Sequence, residues 1–127
     1  MRVLAQLLVF LVATIHVGIL ILEMFFWDHD IGRKIFSMTP EVSSLSAVLA
    51  ANQGLYNGFL AAGLFYGLFT KNRQFLIFFL VCVVVAGVYG AATAKVTILF
   101  SQAAPAAFAL IFVLASRLYL NRGDLLR

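Results

Sequence analysis

Four long runs of almost unbroken apolar sequence constrain this chain more than any other feature. They extend from about Val3 to Phe26, Leu45 to Phe69, Phe75 to Ala94 and Ile98 to Leu120, divided by short polar breaks. A helix that crosses a bilayer needs about 20 apolar residues, and each run reaches that length with some allowance for tilt. Backbone groups surrounded by lipid have to be satisfied inside the membrane structure, which leaves helices and closed barrels. The period-two alternation of a membrane barrel is absent here. The pattern predicts an all-α fold, a four-transmembrane-helix bundle forming one integral membrane domain over residues 1–127.

Composition agrees. Apolar and aromatic residues make up 64% of the chain and charged residues 11%. A globule of this size has too much surface to hide so much apolar side chain from water. The mean hydropathy of +1.05 argues against an ordinary soluble domain, a disordered chain or a nucleic-acid binder. Cys82 is the single cysteine, which leaves no disulfide pair or thiol metal cluster to consider. The first run begins after Arg2 like a signal peptide. It is too long for one, contains His16 and Glu23, and lacks a small-residue cleavage site, so an uncleaved first helix is expected.

Charge bias sets the expected orientation. Arg2, Lys71, Arg73, Arg117, Arg122 and Arg127 lie on one side, six cations. Arg33, Lys34 and Lys95 lie on the other, three cations accompanied by Asp28, Asp30 and Glu41. The positive-inside rule then places both termini in the cytoplasm, N-in and C-in, as in a multi-pass protein of a bacterial inner (plasma) membrane. Within the breaks, Gly32 to Phe36 reads as a short interfacial turn with Ile35 and Phe36 dipping into lipid. Ser43 or Ser44 is a candidate cap for the second helix, and Pro105 fits the first turns of the fourth. The break from Lys95 to Ser101 is weak enough for the third and fourth helices to run nearly together.

Polar side chains inside such runs are costly, and their positions carry most of the functional information. His16 falls near the middle of the first helix, and Glu23, seven residues on, returns to nearly the same face. Asn52, Gln53, Tyr56 and Asn57 cluster on the second helix. Tyr89 and Lys95 lie toward the outer end of the third, and Gln102 at the outer start of the fourth. All fall in the outer half, above an inner half that is almost purely apolar. Four helices closing around these groups would form a polar pocket that opens outward.

Each residue also has a structural account. Glu23 would be an interfacial carboxylate paired with Lys95, and His16 a core histidine bonded to a carbonyl, Gln53 or Asn57. The amides would be interhelical hydrogen-bonding groups, and Lys95 a snorkelling cation. Small residues four apart, at Gly54 and Gly58, at Gly63 and Gly67, and at Gly87 and Ala91 or Gly90 and Ala94, permit close helix packing. They fit the bundle itself or a homo-oligomer through glycine-rich faces. No metal-ligand pattern, partnered nucleophile or convincing haem ligand pair occurs, so catalytic residues and cofactors stay unassigned.

Glu23-Met24-Phe25-Phe26-Trp27, Gly32-Arg33-Lys34, Pro40-Glu41 and the run from Ala51 through Asn52-Gln53-Gly54 to Gly63 form a distinctive signature. Ala86 to Thr93, with Gln102 and Pro105, continues it. The signature resembles a family of small bacterial four-helix integral membrane proteins that share a domain of unknown function. More loosely, the architecture is similar to DoxX-like proteins. The resemblance implies four transmembrane helices and no assigned activity, and Asp28-His29-Asp30 makes this first loop more acidic than the family pattern.

The leading expectation is a membrane protein whose outward-facing pocket binds or passes a small polar molecule or ion. Its partners would be the lipid bilayer and that solute, with no nucleic acid. The alternatives are a membrane enzyme or redox-complex subunit acting on a lipid-soluble substrate such as a quinone, with His16 and Glu23 as acid and base, and a structural or assembly protein.

Overall fold

A computed structural model describes residues 2–116 and 118–119. The chain is all-α. Its elements are α1 (Arg2–Phe25), α2 (Asp30–Phe36), α3 (Pro40–Phe69), α4 (Arg73–Thr93), a π-helical turn (Leu99–Ala103) and α5 (Ala104–Ala115). There is no strand among the described residues. Among the described residues two helices, α1 and α4, are long and apolar enough to cross a membrane. Only 22% of the residues in the apolar window of each are buried by the rest of the chain, unlike the core helix of a globule. α3 is longer, at 30 residues, but Asn52, Gln53, Asn57 and its glycines dilute its hydropathy. Arg117, Leu120, Arg122 and Arg127, which the fourth apolar run and the charge bias draw on, lie outside the described residues.

The caps explain where helices begin. The Thr39 hydroxyl accepts from the Val42 amide at 3.3 Å, and Pro40 follows at the first helical position, where its missing N–H costs nothing. α3 therefore starts five residues before the expected Leu45. Ser43 and Ser44 are not its caps, because both already lie inside the helix. Asn72 caps α4 by accepting from the Phe75 amide at 3.1 Å. The expected interfacial turn is a seven-residue helix, α2, stopped by Ser37 in the left-handed conformation at φ 56°. Ile31 and Ile35 are its exposed apolar side chains, whereas Phe36 packs against Trp27 with ring centroids 4.6 Å apart and the rings tilted by 44°. α4 and α5 are not continuous. A break follows Thr93, and the π-helical turn leads into α5 just before Pro105.

α1 packs against α3 and α5, and α4 packs against the same two helices. Val9, Val12, Leu64, Leu76, Leu80 and Val113 form the buried core, at the end where α1 and α4 begin and α3 and α5 finish. The glycine pairs of α3 serve two neighbours. Gly54 and Gly58 seat Leu20 and Met24 of α1, and Gly63 and Gly67 seat Phe79 and Leu76 of α4. At Gly87 the α4 backbone meets the π-helical turn so closely that an added Cβ would lie 2.8 Å from the Ala103 nitrogen.

Candidate functional site

Of the polar groups of α1, Gln6 lies at the end of the apolar core and donates to the Tyr119 hydroxyl at 2.7 Å, whereas His16 and Glu23 lie progressively farther from it. The Asn57 side-chain amide donates to Glu23 Oε2 at 2.9 Å, and also to the Gln53 carbonyl of its own helix at 3.1 Å. Gly54, one turn away, lets the two helices approach closely enough for this bond, since an added Cβ there would press on Met24, Glu23 and Leu20. The carboxylate of α1 is thus held by an amide of α3 and not by Lys95. The Lys95 ammonium donates instead to the Ile35 carbonyl at 3.3 Å, because the end of α4 lies beside α2.

His16 lies seven residues below Glu23, about 10 Å along the α1 axis, and is 1% exposed. Its Nδ1 is 2.8 Å from the Val12 carbonyl oxygen. A carbonyl only accepts, so Nδ1 carries the hydrogen, and the neutral ring presents a lone pair at Nε2. That Nε2 is buried with no hydrogen-bond partner among the described residues.

The other residues read as site candidates are spread more widely. Asn52, Gln53, Tyr56 and Tyr89 are exposed on the outer surfaces of α3 and α4 and do not face Glu23 and His16 across a closed interior. The reason is geometric: Gly54 and Gly58 turn one side of α3 to α1, so residues 52, 53 and 56 point elsewhere. Gln102, in the π-helical turn, is half-buried, and Lys95 is exposed. The structure joins Glu23 to Asn57 and buries His16 below them.

A second polar constellation surrounds Arg33. Its guanidinium donates to the Asp28 carboxylate at 2.8 Å, the Asp28 carbonyl at 2.9 Å and the Ser43 hydroxyl at 3.0 Å, with Asp30 at 3.5 Å. The buried Ser43 hydroxyl in turn donates to Asp28 at 2.5 Å. Trp27 Nε1 donates to Ser46 at 2.9 Å, and Gly32 packs directly on the carbonyls of Phe26 and Trp27, a place with no room for a side chain. The Ser43 hydroxyl first, and the Arg33 guanidinium second, hold the Asp28 carboxyl below its ordinary range. An open depression of about 320 Å³ lies beside it, lined by Phe26, Asp28, His29, Asp30, Ile31 and Arg33. Its cation is already committed to these partners, so the network reads as a clasp that docks α2 onto the start of α3. No group of three metal-ligating side chains occurs among the described residues.

This clasp is not apparent in the sequence. Asp28, Asp30 and Arg33 stand at local spacings that favour pairing. The Ser43 contact, however, depends on how the loop after Phe36 folds back, and no periodicity encodes that.

The fold and these two constellations define a class: an all-α protein with two membrane-length helices and a polar contact between α1 and α3. The chain belongs to the family described as Protein of unknown function (DUF1304), whose profile matches residues 10–114. It is 33% identical over 115 residues to the uncharacterized protein YpaA of Lactococcus lactis subsp. lactis (strain IL1403), spanning 87% of this chain and 97% of that relative. No solved structure matches. These comparisons bear on the unknown-function family and not on the DoxX-like architecture.

Proposed function

We propose that this chain is a multi-pass protein of the bacterial inner membrane that binds or passes a small hydrogen-bond-donating solute, such as an ammonium-bearing molecule, from its outer face. In this reading α1, α3, α4 and the π-helical turn with α5 each cross the bilayer, with both termini in the cytoplasm. The observation that carries it is the buried, unpartnered Nε2 lone pair of His16 below the Glu23–Asn57 pair. Lone pairs buried without a donor are rare and costly, and they are retained where something else supplies the donor. Glu23 and His16 both accept, so the complementary solute donates. They would form an outer and an inner station about 10 Å apart along α1. Tyr56, Asn52, Gln53, Tyr89, Lys95 and Gln102 are left at the margins of such a site.

Native mass spectrometry of the protein, released from membranes in mild detergent, tests this reading. The expected result is a retained low-mass polar adduct that Glu23→Gln and His16→Phe each remove while the fold persists. A retained quinone would transfer the case to the lipid-soluble-substrate reading. Bare protein in every preparation, with unchanged stability in both variants, would refute a solute site. A C-terminal reporter that reads out as external would overturn the orientation.

A further inference from the structure

Above its contact with α4, α3 leaves one face uncovered that suits neither water nor lipid; lower down the same face carries Gly63 and Tyr66, which pack on Phe79 and Phe75 of α4. Leu45, Val48, Leu49, Asn52, Tyr56 and Phe59 occupy the a, d and e positions of consecutive heptads along it. Leu45, Val48 and Leu49 are 87%, 82% and 70% exposed, and Tyr56 and Phe59 are more than half exposed. Facing water, this would be a contiguous apolar stripe of the kind that marks an interaction surface. Facing lipid, it would place an amide in hydrocarbon: Asn52 is 17 residues before Phe69, roughly 26 Å along the helix, within a core of about 30 Å. Exposed hydroxyls elsewhere solve that problem locally. Thr14 donates to the Phe10 carbonyl at 2.9 Å and Thr93 to the Tyr89 carbonyl at 2.8 Å, each within its own helix. The Asn52 amide has no hydrogen-bond partner among the described residues.

We infer that this face is where two copies of the chain meet, α3 against α3, with Asn52 hydrogen-bonded to Asn52 of the second copy. Copies of one chain insert into a membrane with the same orientation, so two α3 helices come together parallel and in register. A twofold axis along the membrane normal sets each residue of the stripe opposite its own counterpart. An amide is both donor and acceptor, and so is complementary to itself. One asparagine at an a position of an otherwise apolar seam is a device that fixes register and number of helices. The glycine-rich faces of α3 are not available for this purpose, since Gly54, Gly58, Gly63 and Gly67 already seat α1 and α4. The inference rests on the membrane-spanning reading above and is independent of any solute.

Disulfide trapping of the full chain in its native membrane tests it. In a Cys82→Ser background, Leu45→Cys and Leu49→Cys are expected to give oxidised dimers. Val85→Cys on α4 and Ile111→Cys on α5, comparably exposed at 63% and 59%, are not. In reconstituted vesicles, Asn52→Leu should raise the dimer dissociation constant roughly 3- to 20-fold, the span of one interhelical polar contact in a membrane. Asn52→Gln should stay close to the parent. Asn52 is exposed and has no partner among the described residues, so neither change should disturb helicity, which circular dichroism verifies. Equal trapping at all four positions, no trapping at residues 45 and 49, or an Asn52→Leu chain that dimerises as tightly as its parent would each overturn the inference. Alkaline extraction of the same membranes separates the two readings. A chain that washes off removes both, whereas an integral chain that remains monomeric removes only this one.

Discussion

The contact between Gly87 and Ala103 gives a quantitative prediction, because the same substitution elsewhere in the chain should act with the opposite sign. Glycine in a helix interior costs up to about 1 kcal/mol relative to alanine. Gly18→Ala should recover most of that, since an added Cβ there meets nothing within 4 Å. At Gly87 the new methyl would lie 2.8 Å from the Ala103 nitrogen, 2.9 Å from its Cβ and 3.0 Å from its Cα. None of these is the flexible end of a side chain, so relief requires α4 and the π-helical turn to separate. Overpacking of this kind costs about 1–3 kcal/mol, which outweighs the propensity gain and leaves a net loss of up to about 2 kcal/mol. Thermal unfolding in detergent, followed by circular dichroism, should therefore move up for Gly18→Ala and down for Gly87→Ala. A Gly87→Ala chain as stable as the parent would refute the close approach. If both variants moved up, helix propensity and not packing would be the controlling effect.

Three further outcomes follow from the polar contacts. Asn57→Leu should destabilise the chain by about 1–3 kcal/mol in the same assay, by stranding the Glu23 carboxylate, and Glu23→Leu added to it should recover part of the loss. The lowered pKa of Asp28 means that its carboxylate contributes to the docking of α2 above its ordinary value of 3.8, and that the contribution fades as pH falls through the still lower folded value. Trp27 fluorescence should report that opening at the acid end, and Asp28→Asn should show the opened signal already at neutral pH. Gly32→Ala should release α2 at neutral pH, read as faster hydrogen exchange across Asp30–Phe36, because its methyl would collide with two backbone carbonyls.

Most of the helical layout was legible because apolar runs of membrane length leave the backbone few options. α1 and α4 begin and end within two residues of the expected boundaries. Hydropathy locates the greasy part of α3 from Leu45, whereas Thr39 and Pro40 locate its first turn. The pairing of Glu23 with Asn57 was half visible, since both residues were singled out. Its partner choice was hidden, because no pattern in the sequence shows that the Gly54 contact brings α3 against Glu23 while Lys95 reaches the Ile35 carbonyl instead. The outward turn of Asn52, Gln53 and Tyr56 was not legible, because depth along a helix says nothing about azimuth until the glycines show which side is occupied. The orphaned Nε2 of His16 depends on which nitrogen the Val12 carbonyl engages, a matter of rotamer and not of sequence.

α3 is one uninterrupted helix of 30 residues, about 45 Å long, whereas the hydrocarbon it would cross is about 30 Å thick. Its first turns bear the Ser43 and Ser46 contacts that fasten Arg33 and Trp27. A helix of that length, fastened at its first turns, has the geometry of a lever arm between the deep helix contacts and α2. A tilt of about 10° pivoting at Phe69 would swing Pro40 through roughly 8 Å, more than the rise of one helical turn.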